Sequence, residues 1–492
     1  MKNIKYTYYL AAIFLLITSC KKDYLETLPT DAVNSESVFT STANAMAALN
    51  GIHKALYNQY LSNQDQGGQG SIMIYMDMLG DDLVMTAQGT GWFNATYRWE
   101  AHRNASANTQ PTYFAYYFYY RIIINANNII NNIDKAEGPD AEKKAIKGEA
   151  LTYRAWAHFM LVQLYGKRYD ATTKPNAQLG VPLKLASTTE GQPRVTVEEV
   201  YAQINKDLDD AITNLAGYSR ANKSHFNLSV AKGVKARVAL TQQNWADAAK
   251  FASEAKQGYS LMNNEQYVTG FNDYSNPEWM WGSHQVPEQT TFFYSFYAFM
   301  SANYNSGAIR TNPKAINSTL YNQISATDVR KKLWDVTGAS VPVPPNGLKR
   351  PYINKKFLVA NTSSSAGDVP NMRAAEMYLI EAEARARLGQ DGAAADVLST
   401  LLLNRDPAYV KSASTGQALI DEIFVHRRVE LWGEGFRFLD LKRTNSSLDR
   451  TGANHDPALA RILTMPAGDN QWEFLLPQAE LDANKAAVQN PL

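Results

Sequence analysis

Apolar residues recur along most of this chain at intervals of three and four, the period of helices that bury one face. Behind Ser35 and Ser37, which stand where helix caps would, Ala43, Met46, Leu49, Ile52, Leu56 and Tyr57 form one such stripe. Pro111 opens a second, through Tyr117, Tyr120, Ile124, Asn127 and Ile130, and residues 141–164 carry a third with Ala150, Tyr153, Ala157 and Leu161. Thr196 and Glu199 have the spacing of a capping box, in which each side chain accepts the other's backbone N–H, ahead of Val200, Ile204, Leu208 and Ile212. Val230 to Leu240, a turn at Gln243-Asn244 and Trp245 to Lys256 predict a helical hairpin. A second hairpin is predicted at 372–403, where Ala375, Leu379, Ala382 and Ala386 lead to Gly389, suited to a left-handed C-cap, and a new helix starts near Asp391. A last helix is predicted over 415–432.

The helical period fails in two stretches. Residues 62–110 are rich in glycine and aromatic residues and read as loops with a short helix at 71–79; residues 260–360 are rich in Tyr, Asn and Pro, with strand-like pieces at 278–285 and 352–359. Trp472 to Leu476 reads as a short terminal strand before Pro477. Both hairpins place small alanines where helices must approach closely, a tetratricopeptide-like feature. The predicted fold is therefore all-α: irregular tetratricopeptide-type helical repeats with long loop-rich insertions and a few short strands. We divide it into a helical region at 35–259, containing the aromatic loop 62–110, and a region at 260–492, containing the insertion 260–360 and the hairpin 372–403.

Lys2 and Lys5 followed by the apolar run Tyr8 to Ile17 and by Thr18-Ser19-Cys20 read as a signal peptide over 1–19. Cys20 is the only cysteine in 492 residues, which excludes an intramolecular disulfide and a cysteine-based zinc site. Its place at the end of the apolar run makes it the expected lipidation site, with 20–34 as a polar linker; the acyl chains added there supply stable anchoring. Lys+Arg of 48 against Asp+Glu of 47 leaves a net charge of +1, so no basic surface points to nucleic acid.

Motifs for a catalytic serine, a phosphate-binding loop or a dinucleotide site are absent, and none of the seven histidines stands at i, i+4 from another. The expectation is no enzyme, no cofactor and no metal, with Asp81-Asp82 in the glycine-rich loop the one place for a calcium ligand or a ligand-facing acceptor. A helical glycosidase would need two carboxylates facing one cleft, and no motif places such a pair. Arg427, Arg428, Glu430, Glu434, Arg437 and Asp440, with Arg443, form the densest charge cluster and are expected to be a structural ion network. The positive signal is aromatic. Trp92, Phe93, Asn94 and Trp99 form one set, and Tyr294, Tyr297 and Tyr304 belong to a second at 292–304. Rings that stack on sugar C–H faces, beside amides and carboxylates that meet hydroxyls, make a carbohydrate site, and these residues with Asp81 are the candidates.

Several segments in order resemble the SusD/RagB family of outer-membrane nutrient-binding lipoproteins. They are Ser19-Cys20-Lys21-Lys22-Asp23-Tyr24-Leu25; Gly148-Glu149-Ala150 with Arg154-Ala155 and Leu164-Tyr165-Gly166; Arg373-Ala374-Ala375-Glu376 with Glu381-Ala382-Glu383-Ala384; Arg427-Arg428-Val429-Glu430-Leu431 leading to Glu434-Gly435-Phe436-Arg437 and Asp440-Leu441-Lys442-Arg443; and the closing Leu476-Pro477 and Gln489-Asn490-Pro491. His426 departs from the pattern, which more often has Glu before the arginine pair. The resemblance implies four helical pairs with a loop-rich face. It also implies capture of glycans, or in some branches peptides, at the outer membrane, and a role as lid over a SusC-like TonB-dependent transporter. A helical scaffold that binds only protein is the remaining alternative.

Overall fold

A computed structural model describes residues 39–492 apart from 61–62, 107–110, 189, 287 and 289–292, so Cys20, the signal peptide and the linker lie outside the described residues. The first helix among the described residues, α1, spans Thr42–Ala55 and is capped by Ser41, whose side chain accepts the N–H of Asn44; Ser35 and Ser37 lie outside the described residues. The glycine-rich stretch holds more regular structure than its pattern predicts: α2 at Gly68–Met78 is buried on nearly every side, so no one face is marked apolar. Helices α3 (Pro111–Asn132), α4 (Asp140–Tyr165), α5 (Val197–Asn214), α6 (Leu228–Thr241) and α7 (Trp245–Ala255) follow. After the insertion come α8 (Ala374–Arg387), α9 (Asp391–Leu402), α10 (Gly416–Glu430) and α11 (Arg437–Arg443).

Successive helices pack on one another from α3 to α9, and α10 lies against α8, giving the expected series of helical pairs. The capping box of α5 forms as predicted, with Thr196 Oγ1 accepting Glu199 N–H at 3.2 Å and Glu199 Oε2 accepting Thr196 N–H at 2.8 Å. Gly389 ends α8 at φ 73°, the left-handed conformation read from its position.

The two loop-rich stretches are one layer. Strand β1 (Leu83–Met85) pairs antiparallel with a strand more than two hundred residues later. Numbering the rest in chain order, β2 (Leu179–Pro182) pairs β3 (Arg194–Thr196), and β4 (Trp279–Ser283) pairs with β8 (Val369–Arg373). A four-stranded sheet runs in the order β1, β5 (Lys314–Ile316), β7 (Ile353–Asn354), β6 (Trp334–Asp335). Leu83 faces Ile316 and Met85 faces Lys314 across the first of these pairings. Residues 472–476 correct the terminal strand: Trp472 closes a short 3₁₀ turn, and Phe474 and Leu475 donate to the carbonyls of Leu164 and His102, a helix end and a turn. The stretch is extended and continuously buried, which gives it a strand-like sequence, but its partners are not a strand.

Replacing Thr196 by Ala removes one half of the capping box. We expect a loss of about 1 kcal/mol in urea unfolding with unchanged circular dichroism.

Candidate functional site

Gly89 and Gly91 both adopt positive φ, 57° and 92°, and turn the chain tightly before Trp92. The turn is closed by Gly91 N–H to the Gln88 carbonyl at 3.2 Å and by Asn94 Nδ2 to the same carbonyl at 3.1 Å. Phe93 follows at φ 65° with its ring buried edge-on against Phe299, 4.9 Å between centroids, which anchors the turn and leaves Trp92 half-buried at its shoulder. The cavity beside Trp92 measures about 240 Å³ and is lined by Asn63, Asp65, Gly91, Phe93, Thr96 and Pro111 among others. Asn63 Nδ2 is buried with no hydrogen-bond partner. Burial pushes the Asp65 carboxyl up to about 6, a backbone N–H offsetting part of that. The site thus offers a ring face, an unspent amide donor and an acceptor on one wall, the combination a hydroxyl-rich ligand requires. Asp65 is the single carboxylate among the described lining residues, so the cavity lacks the facing pair a glycosidase uses.

Gly67 brings the second aromatic stretch to this place. A Cβ on Gly67 would lie 1.8 Å from the Tyr294 carbonyl oxygen, so only glycine lets the 63–67 segment pass against half-buried Tyr294. Sequence reasoning named Trp92 and Tyr294 but missed Asn63 and Asp65, which no motif marks. The other candidates are placed elsewhere. Trp99 is buried, donating Nε1–H to the Leu79 carbonyl at 3.1 Å and packing edge-on against Trp472. Tyr297 is fully buried with its hydroxyl on the carbonyls of Phe271 and Asp368, and Tyr304 is also in the core; Phe93 borders the Trp92 cavity but is itself buried as the anchor of the turn. These rings anchor loops rather than face ligand, a correction that follows from the packing of the two loop regions into one layer. Asn94 serves the Trp92 turn.

Asp81 is corrected too: it is buried and ion-paired, not ligand-facing. Arg437 holds it at 2.5 Å and Arg428 holds Asp82 at 2.5 Å, so both charges are answered within the protein. Arg427 and Arg443 each meet Asp440 at 2.7 Å. The center of the network is one the sequence cluster only half contains. Arg373 bonds Glu278 at 2.5 Å, Glu430 at 2.9 Å and Glu434 at 2.6 Å, while Arg405 joins Glu278 at 2.8 Å and Glu430 at 3.1 Å. Lys356 adds Glu434 at 2.6 Å and Arg330 adds Asp328 at 2.6 Å. Strand pairing explains the gathering, since Arg373 lies opposite Trp279 on β4 and so beside Glu278. His426 places Nδ1 3.0 Å from Arg330; burial, reinforced by that guanidinium, lowers it to about 3, so it sits in the network neutral.

A largely apolar cavity between α2, α4, α6 and α11 measures about 70 Å³, room for about two waters and not for a sugar. A wider groove of about 310 Å³ runs along α3 under Tyr113, Tyr116, Tyr117 and Tyr120, with Tyr113 and Tyr117 stacked at 5.9 Å and 10°. The stripe was legible at spacings of three and four, but it reads as core.

Two family models account for nearly the whole of the chain: residues 23–240 match one described as starch-binding and associating with the outer membrane, and 250–492 match that of the SusD family. This chain belongs to the SusD/RagB family. A SusD-like protein of Formosa agariphila is 21% identical to it over 94% of this chain and 95% of its own length. A SusD-like carbohydrate binding protein from Bacteroides vulgatus ATCC 8482 superposes with a TM-score of 0.79 at 26% identity, covering 91% of this chain and 98% of that one. A SusD superfamily protein from Bacteroides thetaiotaomicron VPI-5482 shares the fold, with a TM-score of 0.78 at 24% identity over 92% and 100% of the two chains. SusD proteins are binding proteins rather than enzymes. In this SusD-like chain the Trp92 cavity is lined by residues of the first matched region, and the Tyr294 backbone of the second passes against Gly67, beside those residues in the chain.

Gly67→Ala should force apart the 63–67 and 293–295 segments and destabilise the chain by about 1–3 kcal/mol in chemical unfolding, with faster amide exchange confined to those segments. The pH predictions have opposite signs. Asp65, raised in the folded state, contributes stability that is lost as pH rises from about 4 to 6, so Asp65→Asn should gain up to about 3 kcal/mol over wild type at pH 7 and nothing at pH 3. Burial would raise Asp440, but Arg427 and Arg443 hold it at about 2, so its contribution is present above pH 4 and lost as pH falls through 2. Urea titrations across that range check both.

Proposed function

We propose that this protein captures oligosaccharide at the Trp92 cavity and, tethered to the outer membrane through lipidated Cys20, delivers it to a SusC-like TonB-dependent transporter. The observation that carries the reading is the half-buried indole of Trp92 beside the unpartnered amide of Asn63 in an open cavity. A sugar ring laid on the indole would present hydroxyls to Asn63 and Asp65. Pro111, which lines this cavity, and Tyr113, which lines the tyrosine groove, both lie in the first turn of α3. The description of the matched N-terminal model and the Bacteroides vulgatus relative's name support glycan as the ligand and the outer membrane as the location. The transporter partnership is what the family resemblance implies. Among the described residues no helix is long and apolar enough to cross a membrane, which accords with anchoring by lipid.

The test is affinity electrophoresis and calorimetry of residues 21–492 against a polysaccharide panel, with reducing-sugar release followed in parallel. The expected result is binding without release, weakened by about 1–3 kcal/mol in Trp92→Ala with its melting temperature retained. A panel on which nothing binds would overturn glycan capture and leave peptides as the ligand class to try.

A further inference from the structure

The sequence separates His53, Glu149 and His225 widely; the fold brings them together. His53 is in the last turn of α1, Glu149 in the middle of α4, and His225 in the loop ahead of α6. All three are buried, Glu149 completely. Among the described residues they are the one group of three His, Cys, Asp or Glu side chains whose donor atoms lie within 4.8 Å of one another. We propose that they form a structural site for a dication of the zinc class, tying α1 to the α4 and α6 helices.

The distances fit. His53 Nε2 and His225 Nδ1 are 3.1 Å apart, His225 Nδ1 is 3.1 and 3.2 Å from the two Glu149 oxygens, and His53 Nε2 is 3.7 Å from Glu149 Oε2. A tetrahedral zinc ion with bonds of about 2.0–2.2 Å separates its ligands by about 3.3–3.5 Å. Hydrogen bonding alone fits less well. His225 Nδ1 has three polar atoms within 3.2 Å, His53 Nε2 and both Glu149 oxygens, and one N–H cannot be directed at all of them, whereas a cation is met by the His53, His225 and Glu149 lone pairs together when His53 carries its proton on Nδ1. Charge points the same way. Among the described residues no Lys or Arg makes a direct ion pair with Glu149; Arg220 acts on it only from a distance, donating one N–H to the His225 carbonyl at 2.9 Å and one to the Tyr259 hydroxyl at 3.1 Å. A buried carboxylate between two imidazoles is stabilised by a metal more than by neutral rings.

The surrounding groups are those that orient metal ligands. Tyr153, one turn along α4 from Glu149, places its hydroxyl 2.6 Å from His53 Nδ1; in the tautomer that donates from Nδ1, the Nε2 lone pair faces the cluster. Phe226 N–H donates to Glu149 Oε2 at 2.8 Å and Tyr218 Oη to Oε1 at 3.1 Å, fixing the carboxylate.

The test loads residues 21–492 with Zn²⁺ or Co²⁺, removes excess metal, and measures content by plasma mass spectrometry, the visible spectrum of the Co²⁺ form, and melting with and without chelator. We expect about one equivalent per chain, the intense bands of four-coordinate cobalt, and a melting temperature lowered several degrees by chelator. His225→Gln should lose the metal and the chelator effect while keeping the wild-type circular dichroism, and His53→Gln serves if that variant does not fold. Wild type that retains no stoichiometric metal and melts alike with and without chelator would overturn the proposal and leave a hydrogen-bonded trio. None of these readouts involves glycan, so the outcome is independent of the ligand reading.

Discussion

The buried guanidinium of Arg373 is the point on which the rest of the molecule hangs. It reaches Glu278 from the insertion and Glu430 and Glu434 from the α10–α11 junction, and Arg405 after α9 closes the same ring of carboxylates. Such a network is a poor source of net stability, because taking four cations and four carboxylates out of water costs much of what their attraction returns. What it supplies is registry. An insertion of a hundred residues with little regular structure has few other ways to be held in one position, and any shift would strand a charge in the core. The alternation of Arg and Glu after α9 is thus the sequence trace of a positional lock, and the turn of Gly433 to Gly435 is where it meets α2.

From that lock the division of aromatic labour follows. Once the insertion is fixed against α2 and α3, most of its rings become core, as Phe299, Tyr297 and Tyr304 do, and a few are left at the seam. Trp92 and Tyr294 are the seam residues, held there by neighbours that are buried. A carbohydrate site needs rings that are immobile yet uncovered. Anchoring Trp92 through Phe93, at the cost of a left-handed backbone, meets that requirement.

Much of this was legible beforehand. Every long helix with one apolar face was found, and the Thr196 box and the Gly389 cap were read from local chemistry alone. What stayed hidden has one cause, contacts between residues far apart in the chain. α2 has no polar face to reveal its period, residues 472–476 are a mostly apolar run like a strand but bond to a helix end and a turn, and Trp99 resembles Trp92 in sequence while being buried against Trp472. Asn63 and Asp65 carry no motif, and Glu278, Arg373 and Arg405 join the charge cluster only through the β4–β8 pairing. His53 and His225 meet across 172 residues, a distance at which histidine spacing says nothing.

The pairing of β1 with β5 has a consequence for how the molecule can be made. The strand beside the Trp92 turn finds its partner only after residue 314 exists, so this layer is assembled from segments more than two hundred residues apart. Such non-local closure is slow and exposes apolar edges meanwhile. Neither half holds the whole four-stranded sheet, and the insertion cannot be trimmed without taking away the strand on which β1 pairs.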